Sequence, residues 1–310
     1  MATINRSTVV RGPAVIIHDT ITYYTEGDVT VNVSKKKFKI NSSFGELGSR
    51  LDDIEIKISF KPVGVWTAAL VLKSHPYFGT TQGASIYTGT DKTCVVHGIE
   101  GEKLTFAASA ITKLSDLWFS ATKTLFDGTM EITCIGKNNT AWDNAGKRVV
   151  QAAAAFPSHT LDKTKILTRN CSAAWNSLTF ANTVDGFKAS FDLKLNPETE
   201  DGEGIYDYTF ESIAAKVTFT PVGKTMTETL TALNIQDTGV LRGAEDPATS
   251  DLTITGTGIY AAFYEMALDE SSLMWGASAK RIGQLSFSST RRFTAGALDP
   301  VALLDVSAPI

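Results

Sequence analysis

Two short patterns in this chain have the residue types of a catalytic or ligand-binding site. Cys94 and His97 form the C-x-x-H half of a zinc site, but no second pair of ligands completes it. Gly223-Lys224-Thr225 matches the end of a phosphate-binding loop, yet Thr218 stands where that loop requires its first glycine. The sequence therefore predicts neither a metal site nor a bound nucleotide here.

Two further patterns are also incomplete. Gly256-Thr257-Gly258 has the spacing of a dinucleotide-binding turn, but it lies among residues that alternate as a strand does. Asp52 and Asp53 are adjacent carboxylates, a pairing that general acid–base catalysis can use. Because Asp53 belongs to the polar face of a predicted strand, a solvated structural role is favoured. The 4 histidines are dispersed along the chain. We expect no enzyme activity, no cofactor and no metal.

Length, composition and charge limit the class of protein. The 310 residues are 43% hydrophobic, which fits two globular domains of ordinary size. The net charge of −4 disfavours a protein that binds nucleic acid tightly through phosphate contacts. It is compatible with a protein along which DNA moves without being bound. No apolar run approaches a membrane span and no signal-peptide pattern occurs, so we expect no membrane association. Free thiols at Cys94, Cys134 and Cys171 in a reducing compartment are favoured over a disulfide.

The elements that hold these residues occur twice. Ile58-Ser59-Phe60-Lys61-Pro62-Val63-Gly64 recurs as Val217-Thr218-Phe219-Thr220-Pro221-Val222-Gly223. A second set, Gly101, Trp118 and Lys123, recurs with the same spacing as Gly258, Trp275 and Lys280. Self-similarity at this period indicates tandem copies of one unit. We predict two domains, residues 1–158 and 159–310, of similar fold.

Both copies alternate polar and apolar residues with a period of two. Such alternation is typical of antiparallel strands that pack one face against the core and expose the other face to solvent. The packed residues are Ile54, Ile56, Ile58 and Phe60 in copy one and Ile213, Ala215, Val217 and Phe219 in copy two. When the copies are aligned on Gly27 and Gly186, the strands that follow are one residue out of phase. This offset predicts a small insertion or a bulge.

Helices and loops complete the predicted unit. Short flanking helices are expected after each Pro-Val-Gly, at Trp66 to Leu70 and at Met226 to Leu233, from their helical spacing. Polar loops are expected between the early strands, at residues 41–50 in copy one and at residues 196–208 in copy two. The second of these loops is longer and acidic, and we expect both to be exposed.

Three stretches of copy one carry a resemblance to a known family. They are Arg11-Gly12-Pro13-Ala14 through Tyr23-Tyr24-Thr25-Glu26-Gly27-Asp28, Arg50-Leu51-Asp52-Asp53 leading to Phe60-Lys61-Pro62-Val63-Gly64, and Ser120-Ala121-Thr122-Lys123-Thr124-Leu125. In these stretches copy one resembles the tail tube proteins of long-tailed bacteriophages. It covers most of copy one, and copy two is similar to the family mainly through its similarity to copy one.

The resemblance implies a mainly β fold with two tandem sandwich-like tube domains, each with antiparallel sheets and a short flanking helix. In that family the inner sheets join around a ring into a continuous β-barrel, and duplicated subunits form trimeric, pseudo-hexameric rings that stack head to tail. The implied partners are further copies of the chain, the tape measure protein, the tail terminator and distal tail proteins, and passing double-stranded DNA read without sequence specificity. The implied location is the virion tail, assembled in the bacterial host cytoplasm.

Two sets of residues are predicted to serve such an assembly. The polar strand faces are expected to line the lumen, because the alternate residues must pack outward. The lumen-facing set is Asp53, Glu55, Lys57, Ser59, Lys61, Ser212, Lys216, Thr218 and Thr220. The resemblance places the two polar loops at the rim of the ring, where the ring-stacking set would be Phe44, Glu46, Arg50, Glu198, Glu200, Asp201 and Glu203. Lys35, Lys36 and Lys37 are candidate partners for the acidic loop, since complementary charge sets register.

Two other functions remain open. The first is another ring-forming tail component, such as a terminator, a distal tail hub or an injection tube. The second is a two-domain β-sandwich that binds a ligand such as a sugar, with Trp118 and Trp275 as exposed platforms. The apolar neighbours of both tryptophans favour core packing instead.

Overall fold

The computed structural model describes residues 14–63, 75–78, 83–86, 92–135, 149–157, 170–200, 204–222, 249–275, 280–289, 293–294, 297–298 and 302–305. Every helix or strand assigned in these ranges is a β-strand, and all strand pairs are antiparallel. The prediction of a mainly β fold with antiparallel sheets is confirmed. The predicted helices at Trp66 to Leu70 and Met226 to Leu233 lie outside the described residues.

Twelve strands belong to the first half of the chain. Their bounds are β1 Ala14–His18, β2 Ile21–Thr25, β3 Thr30–Ser42, β4 Gly45–Phe60, β5 Pro62–Val63, β6 Cys94–Gly98, β7 Glu102–Phe106, β8 Ser109–Lys113, β9 Asp116–Phe119, β10 Phe126–Asp127, β11 Met130–Cys134 and β12 Val149–Ala153. One layer has the order β12–β7–β6–β1–β2–β5, and the other has the order β3–β4–β11–β8. Their facing apolar sides meet in a core where Tyr23 and Phe60 pack edge to face, with ring centroids 5.6 Å apart.

The second half contributes the remaining described strands. Their bounds are β13 Ser172–Trp175, β14 Leu178–Phe180, β15 Phe187–Glu200, β16 Gly204–Phe219, β17 Thr249–Gly256, β18 Ile259–Trp275, β19 Lys280–Ser289, β20 Phe293–Thr294, β21 Ala297–Leu298 and β22 Ala302–Asp305. Apart from the β20–β21 pair they form a single sheet, β15–β16–β19–β18–β17–β13–β14, with β22 beside β18. The first-half strands β9 and β10 extend this sheet beyond β15.

The strand orders of the two halves correspond. In the first half β12–β7–β6–β1–β2 are neighbours, and in the second half β22–β18–β17–β13–β14 are neighbours in the same sequence. Likewise β3–β4–β11–β8 matches β15–β16–β19–β18. Even the short β2–β5 pairing has a counterpart, the isolated bridge between Thr183 and Pro221. Each half is therefore built on one topology.

Local geometry repeats with the topology. The turns β1–β2 and β13–β14 each have two central residues at positive φ, Asp19 and Thr20 in one and Asn176 and Ser177 in the other. Two consecutive positive φ values define the type I′ turn that matches the twist of a hairpin. The Tyr23–Phe60 contact has its counterpart in Phe180 and Phe219, at 5.0 Å and also edge to face.

The registers explain the phase shift seen in the sequence. Ile58 pairs with Ile132, and its counterpart Val217 pairs with Phe287; all four side chains are buried. On the other side Ile58 pairs with Val31, four residues after Gly27, whereas Val217 pairs with Ala189, three residues after Gly186. The predicted one-residue offset between the early strands is therefore confirmed, and it lies between each glycine and the strand that follows.

The halves differ where one layer passes into the other. In the first half, β7 lies in one layer and β8 in the other. A bend at Ala107 and Ala108 connects the two strands, and strand pairing is interrupted there. In the second half β18 is one continuous strand that pairs with β17 and β22 in its first part and with β19 in its second part, and Glu265 takes a positive φ of 48° where the partners change. The side chain of Asp251 accepts the Glu265 N–H at 3.1 Å, which satisfies a backbone donor that the irregular residue takes out of the ladder.

Candidate assembly surfaces

The described residues of the two segments predicted as polar loops form the ends of long β-hairpins, and residues 201–203 lie outside the described residues. We call β3–β4 hairpin one and β15–β16 hairpin two. Pairing continues to Ser42↔Gly45 in hairpin one and to Glu200↔Gly204 in hairpin two. Each ladder has two register shifts, at Lys36/Lys37 and Ile40/Asn41 in one and at Lys194/Leu195 and Glu198/Thr199 in the other. The loop prediction is wrong because bulges absorb the residues that break the alternation, so that pairing resumes beyond them.

Strand β9 of the first half pairs with the outer edge of hairpin two. Phe187, Lys188 and Ala189 of β15 pair with Phe119, Trp118 and Leu117 of β9. The ladder is short, but the apolar side chains on its inner face, including those of Leu117 and Ala189, are fully buried. The two halves are therefore joined by a continuous sheet.

The opposite edge of hairpin two is paired with residues 83–86 of the first half. The Gly83 N–H donates to the Phe210 carbonyl at 2.8 Å, and the Phe210 N–H donates to the Ala84 carbonyl at 2.8 Å. The Ile86 N–H donates to the Tyr208 carbonyl at 2.9 Å, and the Ser85 hydroxyl donates to the Asp207 carboxylate. These bonds satisfy backbone groups that an edge strand would otherwise leave open.

Aromatic residues of the first half also cover the apolar face of hairpin two. Phe191 contacts the rings of His75 and Phe78, with centroids 5.2 and 4.9 Å away. Tyr77 stacks on Phe210 at 6.0 Å. Aromatic contacts of this kind add stability beyond the area that they bury, so hairpin two is fixed to the first half on both edges and on one face.

A charged cluster lies on the outer side of the β9–β15 junction. Lys188 Nζ is 3.0 Å from an Asp116 carboxylate oxygen and 3.3 Å from one of Asp127. The ammonium group of Lys123 lies 3.3 Å from the centroid of the Trp118 ring. Trp118 is only partly buried, and its Nε1–H donates to the Asp185 carbonyl at 2.6 Å. The expectation that Trp118 packs in the core is wrong, because the ring lies at the junction surface under Lys123.

Replacing Lys188 by methionine should weaken the junction between the halves. Burial alone would lower the pKa of Lys188, but hydrogen bonds and charges from Asp116 and Asp127 outweigh it and raise that pKa. A raised pKa means that the cluster stabilises the folded chain below the unfolded-state lysine pKa of about 10.5, and that this contribution is lost as the pH rises through the folded value. We expect lower unfolding stability for Lys188→Met at pH 8, and a difference from wild type that shrinks as the pH rises through the raised folded-state pKa of Lys188.

The matched control is Lys194→Met, which removes an exposed lysine from the same strand. Urea unfolding of both variants across pH measures the effect. Equal stability losses for the two variants at pH 8 would contradict a role for the Lys188 cluster.

Hairpin one is not covered in this way by any described residue. β3 is the terminal strand of its sheet among the described strands. Large apolar side chains of the hairpin are exposed, at 63% for Phe38, 98% for Phe44 and 71% for Leu47. Lys39 forms an exposed ion pair with Glu46 at 3.0 Å, which contributes little to stability. Within the described part of the chain, two hairpins of the same design therefore have different neighbours.

The predicted lumen-facing residues lie on the face of their sheet opposite the core. Glu55, Lys57 and Ser59 along β4, and Lys61 just after it, alternate with apolar core residues and are half-buried. Ser212, Lys216, Thr218 and Thr220 alternate in the same way along and just after β16, where Lys216 is exposed and the other three are half-buried. Lys57 pairs with Glu55 at 2.9 Å, and Lys61 pairs with Glu26 at 2.7 Å. The side chain of Asp53 is outside the described part of the chain, and exposure to a lumen stays a prediction.

The predicted ring-stacking residues are spread over both hairpin ends. Phe44 and Glu46 are exposed at the turn of hairpin one. Glu198 is half-buried in hairpin two, where it accepts a hydrogen bond from the Thr209 hydroxyl. The side chains of Arg50 and Glu200 are not described, and Asp201 and Glu203 lie outside the described residues. A role of this set in stacking stays a prediction.

The incomplete chemical motifs do not form sites in the described structure. Cys94 and His97 are three residues apart in β6, so their side chains leave opposite faces of the strand and cannot bind one ion together. Within the described ranges no three potential metal ligands cluster. Cys94 and Cys134 are buried, Cys171 is half-buried, and none of the three forms a disulfide in the described structure. Burial raises the pKa of Cys94, which keeps that thiol protonated.

The part that the structure describes contains no helix with the length and hydropathy of a membrane span. No protein-family model matches the chain, and no curated protein matches it either.

Proposed function

We propose that this chain is a structural virion protein that assembles with copies of itself into stacked rings, forming the tail tube of a long-tailed bacteriophage. Such a tube encloses the tape measure protein and conducts genomic DNA during ejection. The phage resemblance of the copy-one motifs supports the tail assignment, and the fold supports the self-assembly.

One observation carries the proposal. Two halves of the same topology lie in one chain, and they are joined because a strand of the first half extends the sheet of the second half. Hairpin one presents the corresponding edge, which no described strand pairs with. An exposed strand edge is a template for another chain, and soluble proteins that do not assemble normally protect it.

A sugar-binding sandwich is less well supported. An aromatic platform for a sugar needs an open ring face, whereas the ammonium group of Lys123 covers one face of the Trp118 ring. The Trp118 Nε1–H is also used inside the protein, by the Asp185 carbonyl.

Electron microscopy of the purified chain tests the proposal. We expect hollow rings and, at high protein concentration, tubes of uniform diameter with a periodic striation. Single rings that never stack would favour a terminator or hub. A chain that remains monomeric at every concentration would exclude self-assembly and leave a binding module as the better hypothesis.

A further inference from the structure

The second half contains a strand segment that corresponds to β9. In the first half Asp116 pairs with Asp127 and Leu117 pairs with Phe126. In the second half Leu273 pairs with Ile282 and Met274 pairs with Arg281, at the same distance beyond a matching bulge. Trp118 donates its backbone N–H to the Leu125 carbonyl, and Trp275 pairs with Lys280. Residues 273–275 are thus the counterpart of β9, and Lys280 corresponds to Leu125 rather than to Lys123.

Hairpin one contains the counterpart of the edge that β9 pairs with. Lys188 pairs with Thr218 inside hairpin two, and Thr30 pairs with Ser59 inside hairpin one. Ser59 and Thr218 occupy the same position of the repeated motif, so Thr30 corresponds to Lys188 and Val31 to Ala189. Among the described strands, neither the outer edge of residues 29–31 nor the outer edge of residues 273–275 has a neighbour.

We propose that residues 273–275 of one copy pair with residues 29–31 of the next copy, in the register of the internal β9–β15 junction. Trp275 then lies opposite Thr30, and Met274 lies opposite Val31. The inference rests on the proposed self-assembly and specifies its contact. The two edges are different surfaces of one chain, so the contact is head to tail, and it closes into a ring when its rotation allows.

The junction between copies differs chemically from the junction within the chain. The three charged residues of the internal cluster, Lys188, Asp116 and Asp127, have Thr30, Leu273 and Ile282 at the corresponding positions. The contact between copies therefore lacks these ion pairs, and the apolar residues Leu273 and Ile282 stand at the positions of the two aspartates. Such a contact resists salt, because screening weakens exposed ion pairs but leaves hydrophobic burial intact.

Engineered disulfides test the register. Thr30→Cys combined with Trp275→Cys, in a Cys171→Ser background, places two thiols at directly paired positions. Native Cys94 and Cys134 are buried and interfere little. On oxidation of assembled protein we expect a ladder of covalent oligomers that ends at the number of chains in one ring. Val31→Cys with Met274→Cys is a second pair in the same register, in case the loss of Trp275 prevents folding.

The matched control is Thr30→Cys with Met274→Cys. These positions are adjacent rather than opposite, so their side chains leave opposite faces of the sheet. We expect at least about tenfold less cross-linked product from this pair, because a disulfide requires Cβ atoms about 3.5–4.5 Å apart.

A charge exchange tests the chemistry of the contact. Leu273→Asp should raise the concentration needed for ring formation at least about tenfold, because it places an unpaired carboxylate at an apolar contact. Adding Thr30→Lys supplies the partner that Lys188 provides internally, and should restore rings that now fall apart in about 1 M salt. Wild-type rings should persist in the same salt.

The outcomes separate the inference from the proposed function. Rings that form in wild type without cross-links from either matched pair would overturn the inference and leave the tube assignment intact. Cross-links found only between stacked rings would assign residues 29–31 to an axial contact and also overturn it. A wild-type chain that never assembles would overturn both.

Discussion

Replacing Gly186 by alanine is expected to destabilise the folded chain by about 3–5 kcal/mol, from backbone strain and overpacking together. Gly186 has a φ of +88°, a conformation that costs a residue with a Cβ. A Cβ there would lie 2.3 Å from the Phe119 carbonyl oxygen and 2.8 Å from the Ser120 Cβ. Neither neighbour is a flexible chain end, so β9 would have to move away from β15.

Gly27 is the matched control, because it opens hairpin one as Gly186 opens hairpin two. Its φ is +77°, and no heavy atom lies within 4 Å of the position that a Cβ would occupy. We expect Gly27→Ala to cost about 1 kcal/mol, from the positive φ alone. Urea unfolding of both variants measures the difference. Equal losses would show that the close approach at Phe119 does not determine the stability of the junction.

Replacing Phe44 by aspartate is expected to prevent rings from stacking into tubes while leaving each ring and its fold intact. Phe44 is 98% exposed at the turn of hairpin one, so the change removes no contact within the chain and should alter the unfolding free energy by less than about 0.5 kcal/mol. At a contact between rings the same change would bury a charge in place of an aromatic ring, reducing stacking at least about tenfold.

Ser43→Asp adds the same charge at the neighbouring exposed position and serves as the control. Tube length in electron micrographs and sedimentation of stacked material measure the effect. Tubes of normal length from Phe44→Asp would remove Phe44 from the stacking contact. Loss of the rings themselves would instead place the end of hairpin one in the contact within a ring.

The strands of the core were predictable because their signal is local. Ile56, Ile58 and Phe60 alternate with polar residues, and burial of one face enforces that pattern. The repeated Pro-Val-Gly predicts the correspondence between Ile58 and Val217 without any structure. The hairpin ends were not predictable in this way, since a bulge shifts the alternation by one residue and makes a continuing strand look like a loop.

The junction between the halves had no signal in the sequence. Lys188 is ion-paired with Asp116 and Asp127, and Asp207 accepts from Ser85, across long separations in the chain. Lysines and aspartates on strands ordinarily lie on a solvated face, so their residue types alone do not distinguish a partnered cluster from an exposed one. The apolar neighbours of Trp118 predict a core position, but pairing of β9 with β15 turns its ring to the surface.

The covalent link between two matching halves changes how an assembly of this chain would nucleate. The β9–β15 junction forms while a single chain folds, at an effective concentration set by the tether rather than by the number of molecules in solution. Only the contacts between chains then require a diffusional encounter and the accompanying loss of translational freedom. A closed ring built from duplicated chains has half as many contacts between chains as one built from single units, so we expect it to form at lower protein concentration and with fewer incomplete arcs.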